Sequence, residues 1–298
     1  PGFTVEMLTI PLKEKRSQSF FNKLFMGSTQ ISTEIPIQSY SILKEELEYI
    51  GYGDGLPKTI SLAVLNNTPK KYITKKTFYF GTDKYGRDLL SRLLIGTRIS
   101  FFIGFIAVFI SLFIGIGIGA IAGYYGGKID ALIMWIINIT WSIPTLLLVI
   151  AITLALGKGY WQVFIAVGLT MWVEVARVVR GQVLTTKQQQ YVEAAKALGY
   201  SNFRIIFRHI LPNILAPIIV ISAANFAAAI LIESGLSFLG IGAQPPTPSW
   251  GAIIKNHYNY IILGKPYLAV IPGLAIMSLV MAFMLIGNAL RDALDVKN

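Results

Sequence analysis

Beyond residue 98 the chain is dominated by five long apolar runs, at about 99–123, 131–156, 160–179, 211–232 and 267–289. Crossing a bilayer takes about 20 mostly apolar residues. In lipid a backbone must satisfy its own hydrogen bonds, so each run is expected to be a spanning helix. Composition agrees: 54% of residues are hydrophobic and only 14% charged, against roughly 25% charged in an average soluble domain. The net charge of +11 would suit nucleic acid or an anionic membrane surface. The apolar runs decide for the membrane, and no nucleic-acid partner is expected. Cysteine is absent, which excludes a disulfide framework and thiolate metal sites. Two histidines, His209 and His257, are too few and too far apart to suggest a metal centre, and no cofactor is expected.

Residues 1–98 have another character, with nine of the fifteen acidic residues, fourteen Lys or Arg and no spanning run. Residues 39–50 read as a short amphipathic helix, with Ile42, Leu43, Leu47 and Ile50 on one face. Turn signals at 51–57 and 66–69 bound a strand-like run at 59–65. The link between the third and fourth runs carries Arg180, Lys187, Lys196, Arg204 and Arg208 against Glu193 alone, which predicts a cytoplasmic loop. Alternation then puts the tail, 290–298, in the cytoplasm and residues 1–80 outside. The chain starts at Pro1 without a signal-peptide pattern, so a sixth spanning helix upstream is expected. Residues 233–266, between the last two runs, are too rich in Pro and Gly around 241–250 to span.

The most telling polar stretch is 193–212. It reads Glu193-Ala194-Ala195, three residues, Gly199, nine residues, His209, one residue, then Leu211-Pro212. Good helix formers up to Leu198, a stop at Gly199, a second short helix over 202–208 and Pro212 in the first turn of the next span predict two short helices forming a knob. On such a knob Glu193 supplies charge, and Ala194 and Ala195 permit close approach. The spacing resembles the EAA loop of permease subunits of ATP-binding-cassette importers. His209, where that family usually has Ile, resembles the peptide and nickel branch. Within that branch, Gly81-Thr82-Asp83-Lys84-Tyr85-Gly86-Arg87-Asp88 matches the turn before the first span in C-type subunits. The stretches 124–130, 176–182, 236–242, 249–251 and 290–295 follow in the family's order.

The resemblance implies an all-α transmembrane domain of the type I importer class over 99–289. A turn at 81–98 leads into it, a coupling loop occupies 181–210, and residues 1–80 form an extracytoplasmic region. It implies a multi-pass subunit of a bacterial or archaeal inner membrane, with four kinds of partner besides lipid: a homologous B-type permease, two cytoplasmic ATPases and an extracytoplasmic substrate-binding protein. Glu193, Ala194, Ala195, Gly199, His209 and Pro212 would couple to the ATPase. No ATPase site is present: Gly127-Lys128 is followed by Ile129, and position 122 is Ala122 where a P-loop needs Gly. The implied cargo is peptide, with nickel as the alternative. Of the classes outside the family, a secondary transporter would usually show an internal repeat, which is not detected, and no ATPase-docking loop; a membrane scaffold is the other alternative.

Charged residues inside spans are functional candidates, because they are costly there. Glu174 and Arg177, three apart, can pair along one helical face. Asn138 and Trp141 in the second run, and Asn225 and Glu233 in the fourth, are candidates for a gate or pathway. Gly115, Gly119 and Gly123 repeat on one helical face, a small-residue stripe that permits close packing.

Overall fold

The computed structural model describes residues 2–11, 32–43, 46–53, 55–65, 68–157, 159–244 and 247–294. They fall into two compact units, Pro1–Ile95 and Gly96–Asn298, and the fold is mostly helical rather than all-α.

The first unit is a five-stranded antiparallel sheet in the order β4-β3-β2-β1-β5. Its strands are β1 (Phe3–Pro11), β2 (Ser32–Leu43), β3 (Glu46–Gly51), β4 (Lys58–Ser61) and β5 (Ile73–Phe78). Leu8, Ile37, Leu47, Tyr49 and Leu65 form its core. The helix expected at 39–50 is therefore a pair of strands, with Tyr40 opposite Tyr49 and Ile42 opposite Leu47. In β3 the burial has a period of two, with Leu47 and Tyr49 inward, whereas Ile42 and Leu43 at the end of β2 are both exposed. Residues that fit a pleated, half-buried surface settled the choice against helical spacing. Lys44 and Glu45 of that segment lie outside the described residues, as do Asn66 and Asn67 of the expected turn. The 59–65 run splits into β4 and a 3-10 turn, Leu62–Leu65, that turns Leu65 into the core.

Next comes the Gly81 to Asp88 turn. Gly81 and Gly86 take left-handed φ values of 77° and 75°, which glycine tolerates without cost. The buried Asp83 carboxylate accepts from the Tyr85 and Arg87 amides at 2.8 and 2.9 Å and from Arg87 Nε at 2.7 Å. Asp88 accepts from the Ser91 amide at 3.1 Å, capping the helix that follows.

The helices are α1 (Leu89–Tyr125), α2 (Gly127–Ser142), α3 (Thr145–Leu156), α4 (Tyr160–Thr186), α5 (Gln190–Ala197), α6 (Asn202–Ile205), α7 (Leu215–Leu239), α8 (Trp250–His257) and α9 (Tyr267–Leu294). Among the described residues four helical stretches are long and apolar enough to cross a membrane: α1, α4, the run Asn202–Leu239 and α9. A fifth span results if α2 and α3 count as one, but they bend by 91°. The second apolar run is thus two helices and not one. Pro144 has no amide hydrogen, and it forces Ile143 into extended geometry (φ −89°, ψ 127°).

The glycine stripe packs α1 against α4. A Cβ on Gly115 would meet Val175 Cβ at 2.5 Å, one on Gly119 the Ala176 carbonyl at 2.5 Å, and one on Gly123 the Arg180 carbonyl at 2.8 Å. Only glycine lets the two backbones lie this close. Residues 233–239 complete α7, and beyond them, among the described residues up to 266, no helix is long enough to span: α8, capped by Ser249 accepting from the Ala252 amide at 3.2 Å, follows α7.

Candidate functional site

The loop after α4 is a folded knob clamped to α1. Lys187 Nζ donates to the Gly123 carbonyl at 2.8 Å, and the Tyr124 hydroxyl donates to Asn202 Oδ1 at 2.8 Å. Lys196 sits over the Tyr124 ring, 5.6 Å from its centre. One face of α5 turns Val192 and Ala195 inward, where they join Ile205, Ile206, Ile210 and Ile214 in a core with α1 and α4. Helix α5 stops at Gly199, whose φ is +75°, and the Tyr200 amide returns to the Ala195 carbonyl at 3.2 Å. Ser201 caps α6 by accepting from the Arg204 amide. From there α6 runs through a wider π turn, Ile206–Ile210, and a 3-10 turn, Leu211–Ile214, into α7. Pro212 sits in that last turn, so the second short helix is continuous with the next span.

The outward face of the knob is different. Glu193, Ala194, Ala197 and Leu198 are exposed, as are Phe203 and Phe207, with Leu198 71% and Phe203 70% open to solvent. His209 is half-buried, stacks on Tyr200 at 5.7 Å and leaves Nε2 without a partner among the described residues. Arg204 lies against the same Tyr200 ring at 4.7 Å. Of the six predicted coupling residues, Glu193 and Ala194 face outward, Ala195 is in the core, Gly199 ends α5, and His209 and Pro212 lie on the return to α7.

A second cluster lies at the α2–α3 break. Arg177 donates to Asn138 Oδ1 at 3.0 Å and stacks 3.7 Å over the Trp141 ring. The pairing expected between Glu174 and Arg177 is not formed: the guanidinium is taken by α2, across the helix interface. Glu174 instead lines a cavity of about 240 Å³ together with Thr140, Trp141, Thr145, Thr170 and Ile232. Four of the six pathway candidates are thus brought together. The other two, Asn225 and Glu233, are buried on α7 and are not on that cavity. Glu233 Oε1 accepts from Ser237 Oγ at 2.6 Å. That Oγ accepts in turn from the Ala243 amide at 3.2 Å, tying the end of α7 to the turn that follows.

Sequence reasoning passed over one pair. Arg180 on α4 holds Asp130 on α2 in a fork, Nε to Oδ1 and Nη2 to Oδ2, each at 2.5 Å. The signal was two charges in apolar surroundings, but 50 residues separate them and neither helix indicates the other.

A bundle of helices long and apolar enough to cross a membrane, with a clamped knob between two of them, defines a polytopic membrane protein. The family model for the binding-protein-dependent transport system inner membrane component matches residues 115–297, and the chain belongs to that family. It is 44% identical over 219 residues to the dipeptide transport system permease protein DppC of Alkalihalophilus pseudofirmus, covering 74% of this chain and 72% of that protein. It is 44% identical over 233 residues to the glutathione transport system permease protein GsiD of Escherichia coli, covering 78% and 75%. A solved chain of the inward-facing MetNI methionine ABC transporter shares the fold, at a TM-score of 0.58 and 19% identity over 68% of this chain and 96% of that one. The chain is therefore the permease subunit of an ABC importer, a multi-pass membrane protein without its own ATPase site. Such a family implies ATPase and substrate-binding partners and a second permease.

Proposed function

We propose that this chain forms one half of the translocation pore of an ATP-driven importer of di- and oligopeptides, and that the 181–210 loop with Pro212 is where an ATPase subunit grips it. The carrying observation is the two-sidedness of the knob. Its inner face is locked into the core of α1 and α4, while Glu193, Ala194 and Leu198 stand outward and exposed, beside a Phe203 ring that leans on Phe207. A tip that is apolar, charged and rigidly based suits a groove on a soluble partner and can transmit displacement without deforming.

In this reading a homologous B-type permease completes the pore, and two ATPases dock on the paired knobs from the cytoplasm. A binding protein delivers cargo on the opposite side, where residues 1–80 lie, and the C-terminus is cytoplasmic. ATP binding closes the ATPase pair, draws the knobs together and switches the pore between its two access states. Relatives named for dipeptide and glutathione transport support peptide cargo.

The test is reconstitution of the full chain with its neighbouring permease, ATPases and binding protein. ATPase stimulation by peptide-loaded binding protein is expected; stimulation by nickel-loaded protein alone would overturn the cargo. Glu193→Lys, a charge reversal on the tip, is expected to cut uptake about tenfold or more at equal abundance. Unchanged uptake would overturn the docking role.

A further inference from the structure

The cavity at the α2–α3 break presents acceptors. Thr140 Oγ1 spends its proton on the Ile136 carbonyl at 2.9 Å, and Thr170 Oγ1 on the Val167 carbonyl at 2.8 Å. Both hydroxyls are left with oxygen lone pairs only. Beside them stands Glu174, the one carboxylate on the cavity wall among the described residues. A carboxylate within a span is costly unless something cationic answers it. Arg177, one turn along, is the obvious answer, and the fold denies it: its guanidinium is held by Asn138 and stacked on Trp141. Glu174 is exposed at the cavity wall, so its carboxylate is open to a ligand while the guanidinium beside it is held elsewhere. At about 240 Å³ the cavity is smaller than a whole-ligand site, which runs to about 300–1,000 Å³. It has the size for the end of a ligand.

We propose that this cavity is an ammonium-binding subsite on the cargo path, where the Glu174 carboxylate receives the N-terminal ammonium of a passing peptide. The inference rests on the peptide reading above. An ammonium group carries three donors and no acceptor. The Glu174 carboxylate and the threonine oxygens supply the matching acceptors, and the apolar wall accepts the first side chain. Locking Arg177 to α2 keeps the neighbouring cation from competing for the carboxylate.

Two measurements on the reconstituted importer test it. Uptake of a tripeptide with a free amino terminus is compared with uptake of its N-acetylated form, in wild type, Glu174→Gln and Glu174→Asp. Glu174→Gln is expected to slow the free-amine peptide about tenfold, to leave the acetylated peptide unchanged, and to be partly rescued by Asp. The second measurement needs no binding protein. Because this chain has no cysteine, Thr145→Cys offers a single labelling site on the cavity wall. Free-amine peptide, and not the acetylated form, is expected to slow its reaction with a soluble thiol reagent, and Glu174→Gln is expected to abolish that protection. Equal slowing of both peptides by Glu174→Gln, as when the carboxylate pairs with the partner permease, would overturn the subsite. So would protection that ignores the amino terminus. A wild-type system that moves nickel and no peptide would overturn the cargo reading and this inference with it. The other outcomes overturn the inference alone.

Discussion

Gly119→Ala adds a single methyl group at one of the two tightest points between α1 and α4, and the structure says how much room it lacks. The new Cβ would stand 2.5 Å from the Ala176 carbonyl oxygen, 2.9 Å from Val179 Cβ and 3.0 Å from Ala176 Cα. Two of the three opposing atoms are backbone and cannot rotate aside. Restoring an ordinary contact of about 3.4 Å requires the helices to part by about 0.9 Å, a gap that forfeits a quarter to a half of the dispersion energy of the atoms it separates. Overpacking of this kind costs about 1–3 kcal/mol. The same methyl on Gly117 meets nothing within 4 Å and should instead gain up to about 1 kcal/mol from helix propensity. That propensity gain is common to both variants, so reversible unfolding of the purified full-length chain in bilayers or mild detergent is expected to separate them by the overpacking cost, about 1–3 kcal/mol, Gly117→Ala being the more stable. Equal stability, or Gly119→Ala above Gly117→Ala, would refute the claim that this stripe sets the helix spacing.

Two further predictions concern the clamp around the knob. Asp130→Asn removes the charge from a half-buried fork and should cost about 2 kcal/mol in the same unfolding measurement; the exchange Asp130→Arg with Arg180→Asp should recover part of it, and no recovery would show that the fork's geometry, not its charge, matters. Gly199→Val forces a branched side chain into a φ of +75°, a strain of about 1–2 kcal/mol. It is expected to loosen ATPase co-purification while leaving the abundance of the chain nearly unchanged; intact co-purification would mean that the end of α5 does not shape the docking face.

The parts of this molecule that were legible in the sequence are those governed by local rules. Apolar runs long enough to cross a bilayer need no partner to be recognised, and three glycines at intervals of four declare a close packing face whatever lies opposite. The knob was legible because Gly199 and Pro212 punctuate it. What stayed hidden depended on choices among distant partners. Leu47 fits both the helical face it would share with Ile42, Leu43 and Ile50 and the alternation it shares with Tyr49, and only pairing with β2 decides between them. Arg177 had a carboxylate three residues away and took Asn138 and Trp141, because α2 packs its aromatic face there. Pro144 interrupts the second apolar run, but nothing local announces a turn as sharp as 91°.

That turn has a consequence for hydration. Helix α3 begins after Pro144 with no side-chain cap on its first amides, and Leu148 is the first residue there to return a bond, to the Pro144 carbonyl at 3.1 Å. The amides of Thr145, Leu146 and Leu147 are left pointing away from any helical acceptor. Hydrocarbon cannot satisfy them, so a backbone broken at membrane depth is tolerated only against protein or water. The bend is therefore expected to face protein or a water-filled path and not lipid, which makes the start of α3 the stretch of this bundle least suited to a hydrocarbon surround.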